Sequence, residues 1–537
     1  MDRNLFLAVA LSILVYAGWF GVMKRFYPEA AGSRPAAADA SSADKAPTAL
    51  AQASAGAPAR QTPAQPPQAP AASSPAIADG RDGALSAKVG RIEMKLQPYG
   101  AAIASYLYPG PLGPVELVPA ARPGFFATWP ELSFRAVRLE GSDLPAFEAV
   151  HPSGVRIHKE FLIDEQRNLH RMRLVLTNPG PRPVELPAWD VSVGPGLGTV
   201  ASELKENSSQ WSSAVLLPPE AGKTQPRFET FKTKAEPQWR DLPLRWGGVH
   251  NRYFLAVVVT AQEAASSGKV FTGAQPIGSD RTPAPEARVG MQAVRLAPGA
   301  SAVIDIPFYF GPKGYMALRE LGLGFEKSVQ FGWFDTFGRY ALKVIDRLYR
   351  LTGNYGWAIL LMTVLLQTLL FPLTYKQMKS AAVMKKLQPE LARIQQKFAK
   401  DPQRLNQEMM ELYRRHGANP LGGCLPLLLQ MPVFVALFNA LRNSWELHGA
   451  PWIFWVKDLS AHDPFYILPL IMGAIMFFQS KMNPVQTGDP MQSKMFQYMP
   501  VVFTFMFLKF PAGLVLYWLT NSALGLIQQM SLRKHWS

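Results

Sequence analysis

After Tyr355 the chain carries five apolar runs, Trp357 to Tyr375, Leu425 to Leu441, Phe465 to Gln479, Met495 to Phe510 and Ala512 to Gln528, and a sixth, Leu5 to Met23, lies at its start. In ~30 Å of hydrocarbon every backbone amide must be bonded internally, and a helix of about 20 apolar residues does this within one segment. The runs predict a polytopic α-helical membrane protein with six spans. The last four are short for ~30 Å at about 1.5 Å per residue, so they must recruit flanking residues, snorkel or thin the bilayer around them. The first run reads as an uncleaved anchor over 1–28. A cleaved signal peptide is the alternative, but its apolar core is usually only ~7–15 residues long, and here the run leads directly into Lys24 and Arg25.

Between 29 and 86 the sequence is dominated by Ala, Pro, Ser, Gln and Gly, with too little apolar surface to offset the entropy of ordering. It is expected to be a tether. From 87 to 326 short alternating runs such as Arg91 to Pro98, Arg171 to Gly180 and Ala302 to Pro312 are broken by Pro and Gly, which predicts an all-β sandwich domain. No catalytic constellation is legible there: His151, His158, His170 and His250 are unclustered, and Gly222-Lys223-Thr224 has Leu217 where a phosphate-binding loop needs its first glycine. The single cysteine, Cys424, excludes an intrachain disulfide, a redox pair or a multi-cysteine metal centre. Over 327–352, Phe334, Phe337, Tyr340, Ala341, Val344, Ile345 and Leu348 recur at helical spacing among Arg339, Lys343, Arg347 and Arg350, the pattern of an amphipathic interfacial helix. An ordinary helix packed on the β domain has the same periodicity.

Lys and Arg number 55 against 39 Asp and Glu, giving +16, yet only 18% of residues are charged, so a highly solvated nucleic-acid binder is excluded and the location of the excess matters. Between the second and third spans stand Lys376, Lys379, Lys385, Lys386, Arg393, Lys397, Lys400, Arg404, Arg414 and Arg415. The positive-inside rule makes this segment cytoplasmic. By parity both termini are then cytoplasmic and the β domain is periplasmic; Lys24 and Arg25 fall on the wrong side, a violation outweighed by the stronger loop. Pro389-Glu390 and Asp401-Pro402 are helix starts and Gly417 a stop, so 376–419 is expected to form a helical hairpin. It is basic, with Lys385 among its cations, and carries Met378, Met384, Met409 and Met410, flexible side chains suited to receiving apolar segments. A solvated hairpin that touches only lipid headgroups is the plainer reading.

Polar side chains within spans are costly and tend to face a bundle interior or a wet cavity. Thr363 and Gln367 lie one turn apart in the second span, Gln430 and Asn439 in the third and Asn521 in the last. Together they suggest a polar hollow, although each amide taken singly also suits an interhelical hydrogen bond. Met431, Phe434, Tyr517 and Trp518 offer an apolar face beside it, or bundle core.

Asn419-Pro420-Leu421-Gly422-Gly423-Cys424-Leu425-Pro426, Gln430-Met431-Pro432, Asp458-Leu459-Ser460-Ala461-His462-Asp463-Pro464 and Phe510-Pro511-Ala512-Gly513-Leu514-Val515-Leu516-Tyr517-Trp518 resemble, in order and spacing, the signatures of the YidC family of membrane protein insertases. The anchor, tether and β domain resemble its Gram-negative form. The resemblance implies a five-span insertase core over 353–530, followed by a short tail, 531–537. It implies a groove open to cytoplasm and lipid, through which segments of nascent membrane proteins enter the bacterial inner membrane without a cofactor or nucleotide. It also implies the Sec translocon, the ribosome and membrane lipids as partners, with no nucleic acid beyond ribosomal RNA. Thr363, Gln430, Met431, Phe434, Tyr517 and Trp518 match positions lining the groove or meeting the substrate. Gln367 stands where the family usually has a basic residue, most often arginine, so a fixed positive charge is absent there. A small-molecule transporter is the rival; inverted repeats or a buried coupling carboxylate would favour it, and neither is evident by eye. A periplasmic sugar enzyme is more distant, since no paired carboxylates are identifiable.

Overall fold

The computed structural model describes residues 84–120, 123–139, 143–233, 236–260, 266–279, 281–398, 401–416, 425–482 and 490–536. The expected anchor, nearly all of the tether, Asn419 to Cys424 and the side chains of Lys385, Gln430 and Met431 lie outside the described residues, as do Gly417 and the tail's side chains beyond Ser531.

Alternation of apolar and polar residues builds the β domain from its first strand, Leu85–Val89, to its last, Ser301–Pro312. In Leu169–Thr177, for example, His170, Met172, Leu174 and Leu176 point inward and the residues between them outward, as a period of two requires. A nine-stranded antiparallel sheet, centred on Phe254–Val259, Ser301–Pro312 and Leu169–Thr177, faces a five-stranded one centred on Thr282–Met291. Met172, Leu174, Val191, Val249, Val289 and Phe308 fill the layer between them. Apolar burial at about 25 cal/mol per Å² is the chief stabilising term of such a sandwich. Helix α1 (Leu204–Gln210) precedes the strand Ser212–Leu217.

The other face of the nine-stranded sheet is apolar too. Trp246, Leu255, Val257 and Tyr309 are covered by α2 (Tyr315–Glu320) and the segment after it, through Leu318, Phe325 and Phe331, and this cluster continues without a break into the helical region at Leu342 and Ala440. Gly332, in a left-handed conformation, interrupts the chain before α3 (Asp335–Thr352), so the amphipathic helix begins later than the expected 327. It ends at Gly353, whose φ of +66° only glycine adopts cheaply and whose N–H caps the Tyr349 carbonyl at 2.7 Å.

Helix α4 (Tyr355–Lys386) has 32 residues and rises about 48 Å, well beyond ~30 Å of hydrocarbon. Its extent redraws the expected hairpin. Residues 376–386 are good helix formers with no breaker, so they continue α4, and the hairpin proper is α5 (Gln388–Lys397) with α6 (Pro402–Arg415). The Asp401 carboxylate caps α6 by accepting the Arg404 N–H at 3.1 Å, as its sequence position suggests. Beyond lie α7 (Leu425–Asn443), α8 (Ile467–Met482), α9 (Pro490–Phe507) and α10 (Ala512–Trp536). Helices α8 and α9 approach closely where Gly473 faces Thr504, leaving no room for a Cβ.

Among the described residues one stretch, Tyr355–Tyr375, is long and apolar enough to cross a membrane on length and composition alone; Ile467–Met482 and Gln497–Phe507 are apolar but shorter. The 16 residues of α8 rise only about 24 Å.

The loop joining α7 to α8 is braced by two carboxylates of the Asp458-to-Pro464 motif. Asp458 accepts the N–H groups of Gly449 and Ser460; Asp463 accepts the Trp455 indole N–H at 2.9 Å and the Phe465 and Leu468 amides that open α8. The same loop caps α10, whose first free amides, Ala512 and Gly513, donate to the Ala461 and Leu459 carbonyls at 2.7 and 2.9 Å.

Candidate functional site

Of the residues expected to line the groove, Thr363 and Gln367 lie on α4, Phe434 on α7 and Tyr517 and Trp518 on α10. On α4, Thr363 is fully buried and turns its hydroxyl back to the Ile359 carbonyl at 2.7 Å, which satisfies it within its own helix. One turn further on, Gln367 is half-buried and its amide donates to the Asn521 side-chain oxygen of α10. This pairing joins residues 154 positions apart and holds no ionisable group.

The polar line extends along α10. Gln479 of α8 donates to the Ser522 carbonyl at 2.7 Å, and seven residues beyond Asn521, on the same helical face, Gln528 keeps its side-chain oxygen buried with no hydrogen-bond partner among the described residues. An unsatisfied buried amide oxygen costs about 1–3 kcal/mol, so this end of α10, where Gln529 shows the same, favours hydrogen-bond donors. The Asn521–Gln528 spacing of seven was the signal that could have marked Gln528 from sequence.

The aromatic side is closed. Phe434 of α7 meets Trp518 edge-on, ring centres 4.9 Å apart, and Phe507 lies 5.3 Å from Trp518 and 4.9 Å from Phe510. Tyr517 is wholly enclosed and Trp518 nearly so, whereas Phe434 is only half-buried. Tyr517 and Trp518 are thus part of the packed bundle, while Phe434 and Phe503, which both meet Trp518, are half-buried; Trp518 stands one turn before Asn521 on α10.

The hairpin methionines divide. Met384, at the end of α4, and Met409 of α6 pack with Leu387, Leu391, Leu412 and Tyr413 into one small core that holds α5 and α6 against the end of α4. Met378 belongs to α4 and is half-buried, while Met410 stands 58% exposed beside the basic residues.

Comparison with known proteins gives two family matches: residues 347–537 match the family described as 60Kd inner membrane protein, and residues 134–344 the YidC periplasmic domain. The membrane protein insertase YidC of Endomicrobium trichonymphae is 38% identical over 428 residues, 78% of this chain and 79% of that protein. The YidC of Geotalea daltonii is 42% identical over 298 residues, 56% of this chain, and this match spans about half of that relative, 55%. A crystal structure of an active YidC insertase with its first transmembrane domain resolved is 19% identical and covers 82% of this chain and 93% of its own, with a TM-score of 0.39.

Proposed function

The chain belongs to the YidC family of membrane protein insertases, and from that premise we propose that it moves hydrophobic segments of newly made proteins from the cytoplasm into the inner membrane along the face bounded by Gln367, Asn521 and Phe434. Carrying the polar flank of a substrate through hydrocarbon costs several kcal/mol for each unsatisfied group. A polar strip on α4 and α10 beside the short α8, around which the bilayer must thin, lowers that barrier, and release of the apolar segment into lipid, worth about 25 cal/mol per Å², supplies the drive without a nucleotide. The observation that carries this reading is the Gln367–Asn521 pair, continued by the donor-hungry Gln528 oxygen, beside an aromatic edge.

In this reading α4 and α7 to α10 are five spans and the N-terminal run a sixth, with both termini and the α5–α6 hairpin cytoplasmic and the β domain periplasmic. The short helices span by thinning the bilayer locally. Exposed Leu351, Trp357, Phe454 and Phe465 then mark the outer interface at the helix ends nearest the β domain. The hairpin, through Met410 and its cations, receives the substrate from the ribosome or hands it on beside the Sec translocon. Gln367 provides hydrogen bonds without a fixed charge, so the groove discriminates little between acidic and basic flanks.

Photo-crosslinkers at 367 and 434 should capture a ribosome-stalled nascent membrane protein, and those on the lipid-facing residues Leu369 and Val502 should not. Equal capture at all four positions, or none at 367 and 434, removes the groove. Cysteine labelling of the hairpin in intact spheroplasts would overturn the orientation.

A further inference from the structure

The nine-stranded sheet does not merely sit above the helices; it grips one of them. The last turn of any helix leaves carbonyl groups without intrahelical partners. At the end of α7 the Arg442 carbonyl accepts two hydrogen bonds from one guanidinium of the β domain, Arg252 Nε at 3.1 Å and Nη2 at 2.7 Å. Arg252 is itself fixed from two sides. Its Nη1 donates to Glu203 at 2.6 Å in an ion pair that is largely buried, and its plane lies 4.9 Å from the Tyr253 ring centre. Positive charge at a helix C-terminus also complements the helix dipole.

Two more contacts hold the same turn. Asn443 donates to the Gln330 carbonyl at 2.8 Å and Asn439 to that of Phe331 at 3.1 Å, both in the segment leading out of the β domain. Ala440 enters the apolar cluster under the sheet, and just beyond the helix Trp445 inserts its ring 5.0 Å from Phe254. One end of α7 is therefore bound to the β domain through polar and apolar contacts together. Phe434 lies eight residues before Arg442, about 12 Å along the helix, and on the anchored side of Pro432, whose missing backbone hydrogen bond permits bending only in the turn before it. The stretch from Pro432 to Arg442 therefore follows its anchorage, and Phe434 with it.

We propose that Arg252 is a positioning residue for insertion, capping α7 from the β domain and thereby holding Phe434 at its distance from α10. This rests on the groove reading above and gives the β domain a part in it. Because Arg252 acts on the wall of the route and not on the hairpin that receives substrate, its loss slows transit and leaves capture unchanged.

The test uses the full chain in proteoliposomes, with Cys424→Ser as background and spin labels at Val435→Cys on α7 and Ile527→Cys on α10. Arg252→Lys keeps a charge for Glu203 but loses the two-pronged donor; Arg252→Met with Glu203→Gln removes the donor without stranding a buried carboxylate. In both, the interlabel distance is expected to shift by about 2 Å or more, a fraction of a helical turn. The maximal insertion rate is expected to fall about three- to tenfold, the scale of one ordinary hydrogen bond, at an unchanged half-saturating substrate concentration. The lysine variant should lose less than the double variant, and the melting midpoint of the β domain should hold in the lysine variant. Unchanged rates in both, or reduced rates with an unmoved distance, overturn the proposal, as does a rise in the half-saturating concentration alone. Phe434→Ala in the same assay separates the causes: if it too inserts at the normal rate, the groove itself has failed and the role of Arg252 falls with it.

Discussion

Gln367→Leu is the sharpest perturbation of the proposed groove, because leucine nearly preserves volume while deleting the donor that satisfies Asn521. A side-chain hydrogen bond between membrane helices contributes on average about 0.6 and at most about 1.7 kcal/mol, so the bundle itself should assemble. If a polar substrate flank exchanges into that same bond while crossing, the lost energy appears in the barrier, and those values correspond to a slowing of about three- to twentyfold. Substrates with apolar flanks never use the bond and should insert at the parental rate. A reconstituted assay with matched acidic, neutral and basic flanks reads the difference, and Asn521→Leu with the double variant completes the cycle: the two losses should not add, since either substitution breaks the same pair. Gln367→Arg should be tolerated and should favour acidic flanks. Equal slowing of polar and apolar substrates would refute the reasoning, for it would mean that Gln367→Leu merely loosens the packing of α4 on α10.

Asp463→Ala removes the acceptor of the Trp455 indole and of two amides at the start of α8, and the resulting loss of about 1–3 kcal/mol should lower the thermal midpoint of the helical region while sparing the β domain. In the β domain, Lys313 is buried, donates to the Asn251 carbonyl at 2.8 Å and faces His250 Nδ1 at 3.2 Å, and burial pushes its ammonium from 10.5 down to about 7. The unfolded chain therefore holds more protons between those two pH values, so this residue makes the domain more stable as pH rises from about 7 towards 10.5, and Lys313→Met should flatten that slope in denaturant titrations. Replacing Gln388 to Arg415 by a flexible linker should raise the half-saturating substrate concentration several-fold at equal protein abundance; an unchanged value would leave the hairpin a topological element only.

The features legible in sequence were those governed by neighbours along the chain. Asp401 before Pro402 announced a capped helix because an N-cap needs only its own next three residues, and the alternation in Leu169–Thr177 announced which side chains lie inward. The helix boundaries came within a few residues for α8, where Asp463 and Pro464 punctuate the chain, but α4 ran through to Lys386 because nothing in 376–386 opposes a helix. What neighbours along the chain do not determine is pairing across it. The strand order of the large sheet, the Gln367–Asn521 bond and the grip of Arg252 on Arg442 each depend on residues more than a hundred positions apart or on a fold already formed.

Side-chain type misleads in the same way when burial is decided at a distance. Methionine at four positions of the expected hairpin signals adaptability, yet Met384 at the end of α4 and Met409 on α6 spend it on seating the two short helices against α4, and Met410 is the one that faces fully outward. Tyr517 and Trp518 close one of the motifs that carry the family resemblance, and both are enclosed, Trp518 by Phe434 of α7 and Phe507 of α9. In the proposed groove a substrate helix meets Gln367 and the half-buried rings of Phe434 and Phe503 before Trp518, which those rings cover. Phe434 lies on the side of Pro432 held by Arg252, so uncovering Trp518 there requires the anchored stretch of α7 to move. On the proposed reading, the packed aromatics are the surface uncovered during passage, and the β domain sets how far α7 can move to uncover them.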